Sequence, residues 1–204
     1  MIEYTKEALI QFENDIAVLW EAGELPYLMH LSGGNEDWLI DFFKRNVEDN
    51  DWVFSTHRSH YHALLAGIDP WKLKVSIQKG DSMFIFDREH RFFTSAILAG
   101  TCAIAAGVAQ AIKDEGSDEE VWCFVGDGAE EEGHFAEAVT MVQGHNLPCT
   151  FIIEDNDRAS ETTVVERSGG FRLHWPACVV RYNYVPTYPH AGNGTPNQIV
   201  FKPR

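Results

Sequence analysis

Two continuous apolar runs, "VWCFV" at 121–125 and "CTFIIE" at 149–154, constrain this chain more than any other feature. Neither run alternates apolar with polar residues, which is the pattern of a strand buried on both faces. Between them, "GHFAEAVTMVQGHNL" (133–147) places Phe135, Val139 and Val142 on one face of a helix. Strand, helix and strand in this order make a βαβ unit and a parallel sheet. In such sheets, ligands gather at the carboxyl ends of the strands.

The rest of the chain fits around that unit. Leu9, Phe12, Ile16 and Leu19 recur at helical spacing, so 3–22 is expected to be a helix stopped by Gly23. A second helix is expected over 35–47, a short strand at Trp52-Val53-Phe54, and a helix from His60 to Ala66 ended by Gly67. Residues 78–100 are polar with no clear period and read as one long loop, a kind of segment that is usually functional in a compact domain. The helix after it, "GTCAIAAGVAQAIKDEG", is rich in small residues and suited to close approach to another backbone. Strands are expected at 178–184 and at "QIVF" (198–201). There is no internal repeat or linker. The expectation is one α/β domain over 1–204, three-layered, with a mainly parallel central sheet flanked by helices.

Composition excludes several roles. A net charge of −15 with no basic run argues against unaided binding of nucleic acid or anionic membrane. A phosphorylated ligand stays possible, because a divalent cation can bridge two negative partners. No apolar run approaches the ~20 residues that span a bilayer. The first residues, "MIEYTKEALIQFENDIAVLW", are acidic and amphipathic, unlike a secretory signal. Cys102, Cys123, Cys149 and Cys178 lie far apart in apolar runs and read as buried reduced thiols. A soluble protein of a reducing cytoplasm is the expectation.

Both strands of the βαβ unit end in polar residues. The first runs into Gly126-Asp127-Gly128, a turn that lets backbone approach a phosphate, yet no lysine follows and Glu130, Glu131 and Glu132 arrive instead. The second ends in Glu154-Asp155-Asn156-Asp157. The Asp127 carboxylate and the Asn156 amide oxygen are hard ligands suited to Mg²⁺ or Ca²⁺, with phosphate and water completing the shell. A turn that grips phosphate through a metal needs no lysine. The three glutamates read most simply as a solvated helix start, where the dipole favours carboxylates.

The run "GDGAEEEGHFAEAVTMVQGHNLPCTFIIEDND" resembles the thiamine diphosphate signature, and more narrowly the alpha subunit of 2-oxo acid dehydrogenases. "STHRSHYHALLAG", "SMFIFDREHRFF" and "ILAGTCAIAAGVAQAIK" are similar to upstream stretches of the same family, in the same order. The resemblance implies thiamine diphosphate and Mg²⁺ as cofactors, with Asp127, Asn156 and the backbone carbonyl of Arg158 on the metal. It implies backbone contacts to the diphosphate from the turn at Gly126, chiefly the N–H groups of Gly128 and Ala129. Arg58 would pair with a diphosphate oxygen, with His57 beside it where the family usually has tyrosine. Backbone groups from Ile97 to Gly100 would meet the aminopyrimidine, and His60 would face the reacting end of the cofactor. His190, in "TYPHAGNG", is a further catalytic candidate, although a plain surface turn explains it as well.

There are departures. Phe84 stands where the family has an active-site histidine, Glu131-Glu132 replace Asn-Gln, and Asp155 replaces the first Asn of a pair. The resemblance implies a beta-type partner chain that supplies the pyrimidine-binding domain and the activating glutamate, with 78–100 and 101–112 as candidate interface. It also implies a hetero-oligomer acting on a small 2-oxo acid. Two alternatives stand beside this reading, a transketolase-like half-enzyme and a degenerate non-catalytic subunit. A zinc site of His57, His60 and His62 is disfavoured, because residues two apart on a helix point about 200° apart.

Overall fold

The computed structural model describes residues 4–190, so the strand expected at 198–201 and the loop residues 191–194 lie outside the described residues. The described residues fall into two compact units. The first takes the chain up to Asp49, then His57–Thr94, then Val185 onward; the second takes Asn50–Thr56 and Ser95–Tyr184.

In the first unit, Thr5 caps α1 (Lys6–Glu21) by accepting the Ala8 N–H, and the helix buries Leu9, Ile16 and Trp20. Glu13 is buried on the same face. The helix α2 (Glu36–Asn46) starts with Glu36 and Asp37 and ends with Lys44 and Arg45, each sign placed where the helix dipole favours it. Leu39 and Phe43 form its buried side. The chain then supplies β1 (Trp52–Ser55) to the second unit and resumes with α3 (His60–Leu65), which is buried throughout.

Two elements of this unit depart from expectation. Sequence periodicity passes over α4 (Pro70–Gln78), although Asp69 caps it by accepting the N–H groups of Trp71 and Lys72, with proline at the first position. The segment 78–100 is not one irregular loop. It contains β2 (Phe86–Asp87) and β3 (Phe92–Thr94), paired antiparallel with Phe86 opposite Phe93. Strands this short carry too few residues to register a period of two.

The second unit holds the parallel sheet. The strand β1 pairs with β4 (Val121–Gly126), β4 with β5 (Cys149–Asp155), and β5 with β8 (Val179–Asn183), every pair parallel. The helices α5 (Cys102–Glu115) and α6 (Gly133–His145) pack on each other, and α5 lies on β4 and β5. The small residues of α5 serve that packing: Ala105, Ala106 and Ala109 are fully buried. Phe124, Phe135 and Phe151 centre the core, with the rings of Phe135 and Phe151 edge to face at 5.4 Å. Burial of such a ring contributes about 2–3 kcal/mol. The expected α/β class, with a mainly parallel central sheet flanked by helices, is the observed one.

After β5 the chain forms a small hairpin, β6 (Arg158–Ala159) with β7 (Thr162–Thr163), and a five-residue helix α7 (Val164–Ser168). A capping box between Thr163 and Glu166 starts α7, and Gly169 in the left-handed region ends it. All four cysteines are free thiols. Burial holds the Cys149 thiol well above its ordinary range, which keeps it inert. Among the described residues, no helix is long and apolar enough to cross a membrane.

Candidate functional site

Parallel register sets Gly126 of β4 opposite Glu154 of β5, so the residues that follow each strand emerge at the same edge of the sheet. These are Asp127 and the Asp155-Asn156 pair. The Asp127 side chain is only 1% exposed and meets the guanidinium of Arg167, whose Nη2 donates to its Oδ2 at 3.2 Å. Burial raises the Asp127 carboxyl above its usual range, and Arg167 works against that rise. The same guanidinium donates from Nε to Glu131 Oε1 at 3.1 Å.

Asp155 is fully engaged. Arg172 donates to its Oδ1 at 2.9 Å and Arg181 to its Oδ2 at 2.8 Å. Arg181 also donates to Glu130, which accepts the Trp175 indole N–H at 2.9 Å as well. Glu130 is therefore buried in a paired network, and the expectation of a solvated helix start fails for it. A 3₁₀ turn over Ala129–Glu131 separates the glycine turn from α6, which begins at Gly133. The acidic character that looks paradoxical in sequence is matched by Arg167, Arg172 and Arg181. Two of the family departures, Glu131 and Asp155, are among the matched carboxylates.

Asn156 closes a local turn, its Oδ1 accepting the Arg158 N–H at 3.0 Å while its Nδ2 donates to the Tyr184 hydroxyl at 3.2 Å. An amide oxygen has a second lone pair to offer. A Cβ on Gly128 would fall 2.6 Å from the Ala159 Cβ, so the turn packs on β6 only with glycine there. Gly126 has open space where its Cβ would be. The carboxylate of Asp127 and the amide oxygen of Asn156 are hard donors of the kind that Mg²⁺ takes. Elsewhere in the second unit, the Gly100 N–H closes a turn on the Ile97 carbonyl at 2.9 Å, leaving the Ile97 side chain 71% exposed.

The first unit gathers imidazoles. Arg58 donates from Nη1 to the Leu31 carbonyl at 3.0 Å, and from Nη2 to both the carbonyl and Nδ1 of His190, each at 3.0 Å. His30 hydrogen-bonds through Nδ1 to the same His190 carbonyl at 2.8 Å, and its ring lies edge-on to His57 at 4.4 Å. A ligand nitrogen from each of His30, His57 and His190 lies within 4.8 Å of the others. Burial lowers His30 to about 4, Arg58 adding to the effect. Burial and then Arg58 push His57 well down too, so both rings are neutral at pH 7.

Of the expected first-unit residues, His57, Arg58 and His190 come together, and His60 is placed differently. Its ring is fully buried, with Nδ1 against Glu13 at 3.0 Å and Nε2 against Ser82 Oγ at 2.9 Å. Proton exchange with a substrate at His60 would need that network to open. Sequence reasoning missed Glu13, His30 and the three arginines. Glu13 had a signal, a charged residue on the apolar stripe of Leu9, Ile16 and Trp20. His30 had none, lying in an apolar stretch with no period.

Residues 4–172 match the sequence family described as dehydrogenase E1 component. The alpha subunit of acetoin:2,6-dichlorophenolindophenol oxidoreductase from Cupriavidus necator is 31% identical over 181 residues, covering 79% of this chain and 54% of that protein. The pyruvate dehydrogenase E1 component subunit alpha of Rickettsia bellii is 30% identical, over 76% of this chain and 51% of its own length. That of Zymomonas mobilis is 29% identical over 88% of this chain and 56% of its own. The chain thus spans about half the length of the curated relatives it matches.

Proposed function

Because the chain belongs to the dehydrogenase E1 component family, we propose that it is a thiamine diphosphate- and Mg²⁺-dependent subunit that acts on a small 2-oxo acid together with a beta-type partner. The observation that carries this reading is the parallel register of β4 and β5, which delivers Asp127 and Asn156 to one edge from two adjacent strands. Asp127, Asn156 and the carbonyl of Arg158 would hold the metal. The N–H groups of Gly128 and Ala129 would meet the diphosphate, with main-chain contacts from Gly126 and from Ile97 to Gly100. His57 and Arg58 are assigned to the cofactor by the resemblance. The bond-breaking chemistry is the cofactor's, whose thiazolium ring serves as nucleophile and electron sink.

In the first unit, burial keeps the rings of His30 and His57 neutral at pH 7, so they serve as hydrogen-bonding neighbours rather than proton carriers, and Arg58 holds His190 beside them. His190 is the catalytic candidate this geometry favours, ahead of the enclosed His60. A relative named for pyruvate, a small 2-oxo acid, supports that substrate class, and one named for acetoin, a small hydroxy ketone, shares its reactive carbonyl; both are named as oxidoreductases, which favours this reading over a transketolase-like role. Dependence on a partner is supported by apolar exposure in the candidate interface. Phe84 and Phe86 in the first unit, and Ile97, Leu98 and Ile104 in the second, are 47–71% exposed.

The test is the melting temperature with Mg²⁺ alone and with Mg²⁺ plus thiamine diphosphate, for the wild type and Asp127→Ala. Ligand at 100 times its dissociation constant adds about 2.7 kcal/mol. A shift that needs both components and is lost in Asp127→Ala supports the reading. No shift even with the partner chain present would overturn it.

A further inference from the structure

The carboxylate assigned to the metal already has a cation on it. Arg167 reaches Asp127 from α7 and is held there at three points, the others being Glu131 and the Thr162 carbonyl, which accepts from Nη1 at 3.1 Å. We infer that the Arg167 guanidinium and a divalent cation compete for Asp127. The inference rests on Asp127 being a metal ligand, as proposed above.

The physical argument is one of charge and coordination. Asp127 is nearly inaccessible, and the Arg167 side chain is itself only 12% exposed, so water screens their attraction weakly. A dication at the carboxylate would face the guanidinium at close range with little solvent between them, and the two like charges repel. A guanidinium shared between Asp127 and Glu131 offsets the negative charge of both carboxylates.

Local structure lets the arginine leave without unravelling the sheet. The helix α7 is closed on itself, by the Thr163–Glu166 capping box at one end and at the other by Gly169 and Gly170, both at positive φ. Its carrier hairpin, β6 with β7, is a separate two-stranded piece joined to no other strand of the second unit. Once Arg167 withdraws, Glu131 is released as well. The glutamate that stands in the family's Asn position is thereby tied to the same exchange.

The experiment is titration of the full chain with Mn²⁺ alone, free ion being counted by its electron paramagnetic resonance signal. The variants are Arg167→Gln, Arg167→Lys and Asp127→Asn. Competition predicts that Arg167→Gln binds Mn²⁺ about tenfold more tightly than wild type, since a close like charge is removed. Arg167→Lys should return the affinity towards wild type, and Asp127→Asn should abolish binding. A purely structural arginine predicts the opposite sign, weaker binding in Arg167→Gln. Equal or weaker binding there, with binding still lost in Asp127→Asn, overturns the inference and leaves the metal reading intact. No Mn²⁺ binding by wild type or Arg167→Gln overturns the inference, while the metal reading stands or falls by the melting test with thiamine diphosphate. Hydrogen exchange at the Val164–Ser168 amides decides independently of any variant: saturating Mn²⁺ should speed it in the wild type, and unchanged exchange would also refute competition.

Discussion

Acidification should destabilise this protein through His30 in a way that one substitution removes. The ring is buried and lowered to about 4 from an ordinary value of 6.5. A folded-state value below the unfolded one means that the unfolded chain binds the extra proton first. The stabilisation is therefore present above about pH 6.5 and is lost as pH falls towards 4. Between pH 7 and pH 5 that linkage costs about 2 kcal/mol, from the ratio of protonation in the two states. The assay is urea unfolding of the wild type and of His30→Asn at both pH values. Asparagine cannot titrate and still offers an N–H towards the His190 carbonyl. His30→Asn should lose about 2 kcal/mol less than wild type on going from pH 7 to pH 5, whatever its offset at neutral pH. Parallel pH dependence of the two proteins would show that His30 is not held neutral by burial, and the argument would fail.

Two further outcomes concern the second unit. Arg181→Leu leaves Glu130 without its cation and Asp155 with only Arg172, and should cost about 3 kcal/mol in urea unfolding, the range for a broken buried pair. Gly128→Ala puts a methyl group 2.6 Å from the Ala159 Cβ and should cost about 1–3 kcal/mol. Adding Ala159→Gly should return part of that loss; a double variant no more stable than Gly128→Ala would show that the turn needs glycine for another reason.

The centre of the sheet was legible in the sequence because β4 and β5 are buried on both faces and so lack polar interruptions. Val121–Val125 and Phe151–Ile153 are all buried apart from Trp122, which is half-buried. The edge elements were not legible, since β2 and β3 are two and three residues long and α4 shows its helical nature mainly through Asp69 and Pro70. Asp127 and Asn156 could be paired in advance because their separation is set by one βαβ unit. Arg167 and Arg181 could not, because nothing in a one-dimensional reading says which arginine returns to which carboxylate. His60 shows a different limit. The motif that contains it is visible in the sequence, whereas its enclosure depends on Glu13 and Ser82, which lie 47 and 22 residues away.

The imidazole cluster draws one residue from each of the three stretches that build the first unit: His30 before Asp49, His57 with Arg58 after it, and His190 beyond Val185. Arg58 spans 27 residues to Leu31 and 132 to His190. Contacts so distant along the chain are slow to form. On the ribosome they have to wait until His190 has been made, after the whole parallel sheet. A chain that stops at residue 184 contains all of β1, β4, β5 and β8, whereas His30 and His57 still lack their third member. Completion of this cluster thus comes after the strands of the parallel sheet in order of synthesis, and a chaperone or a partner that recognises the first unit meets its finished form only after those strands have been made.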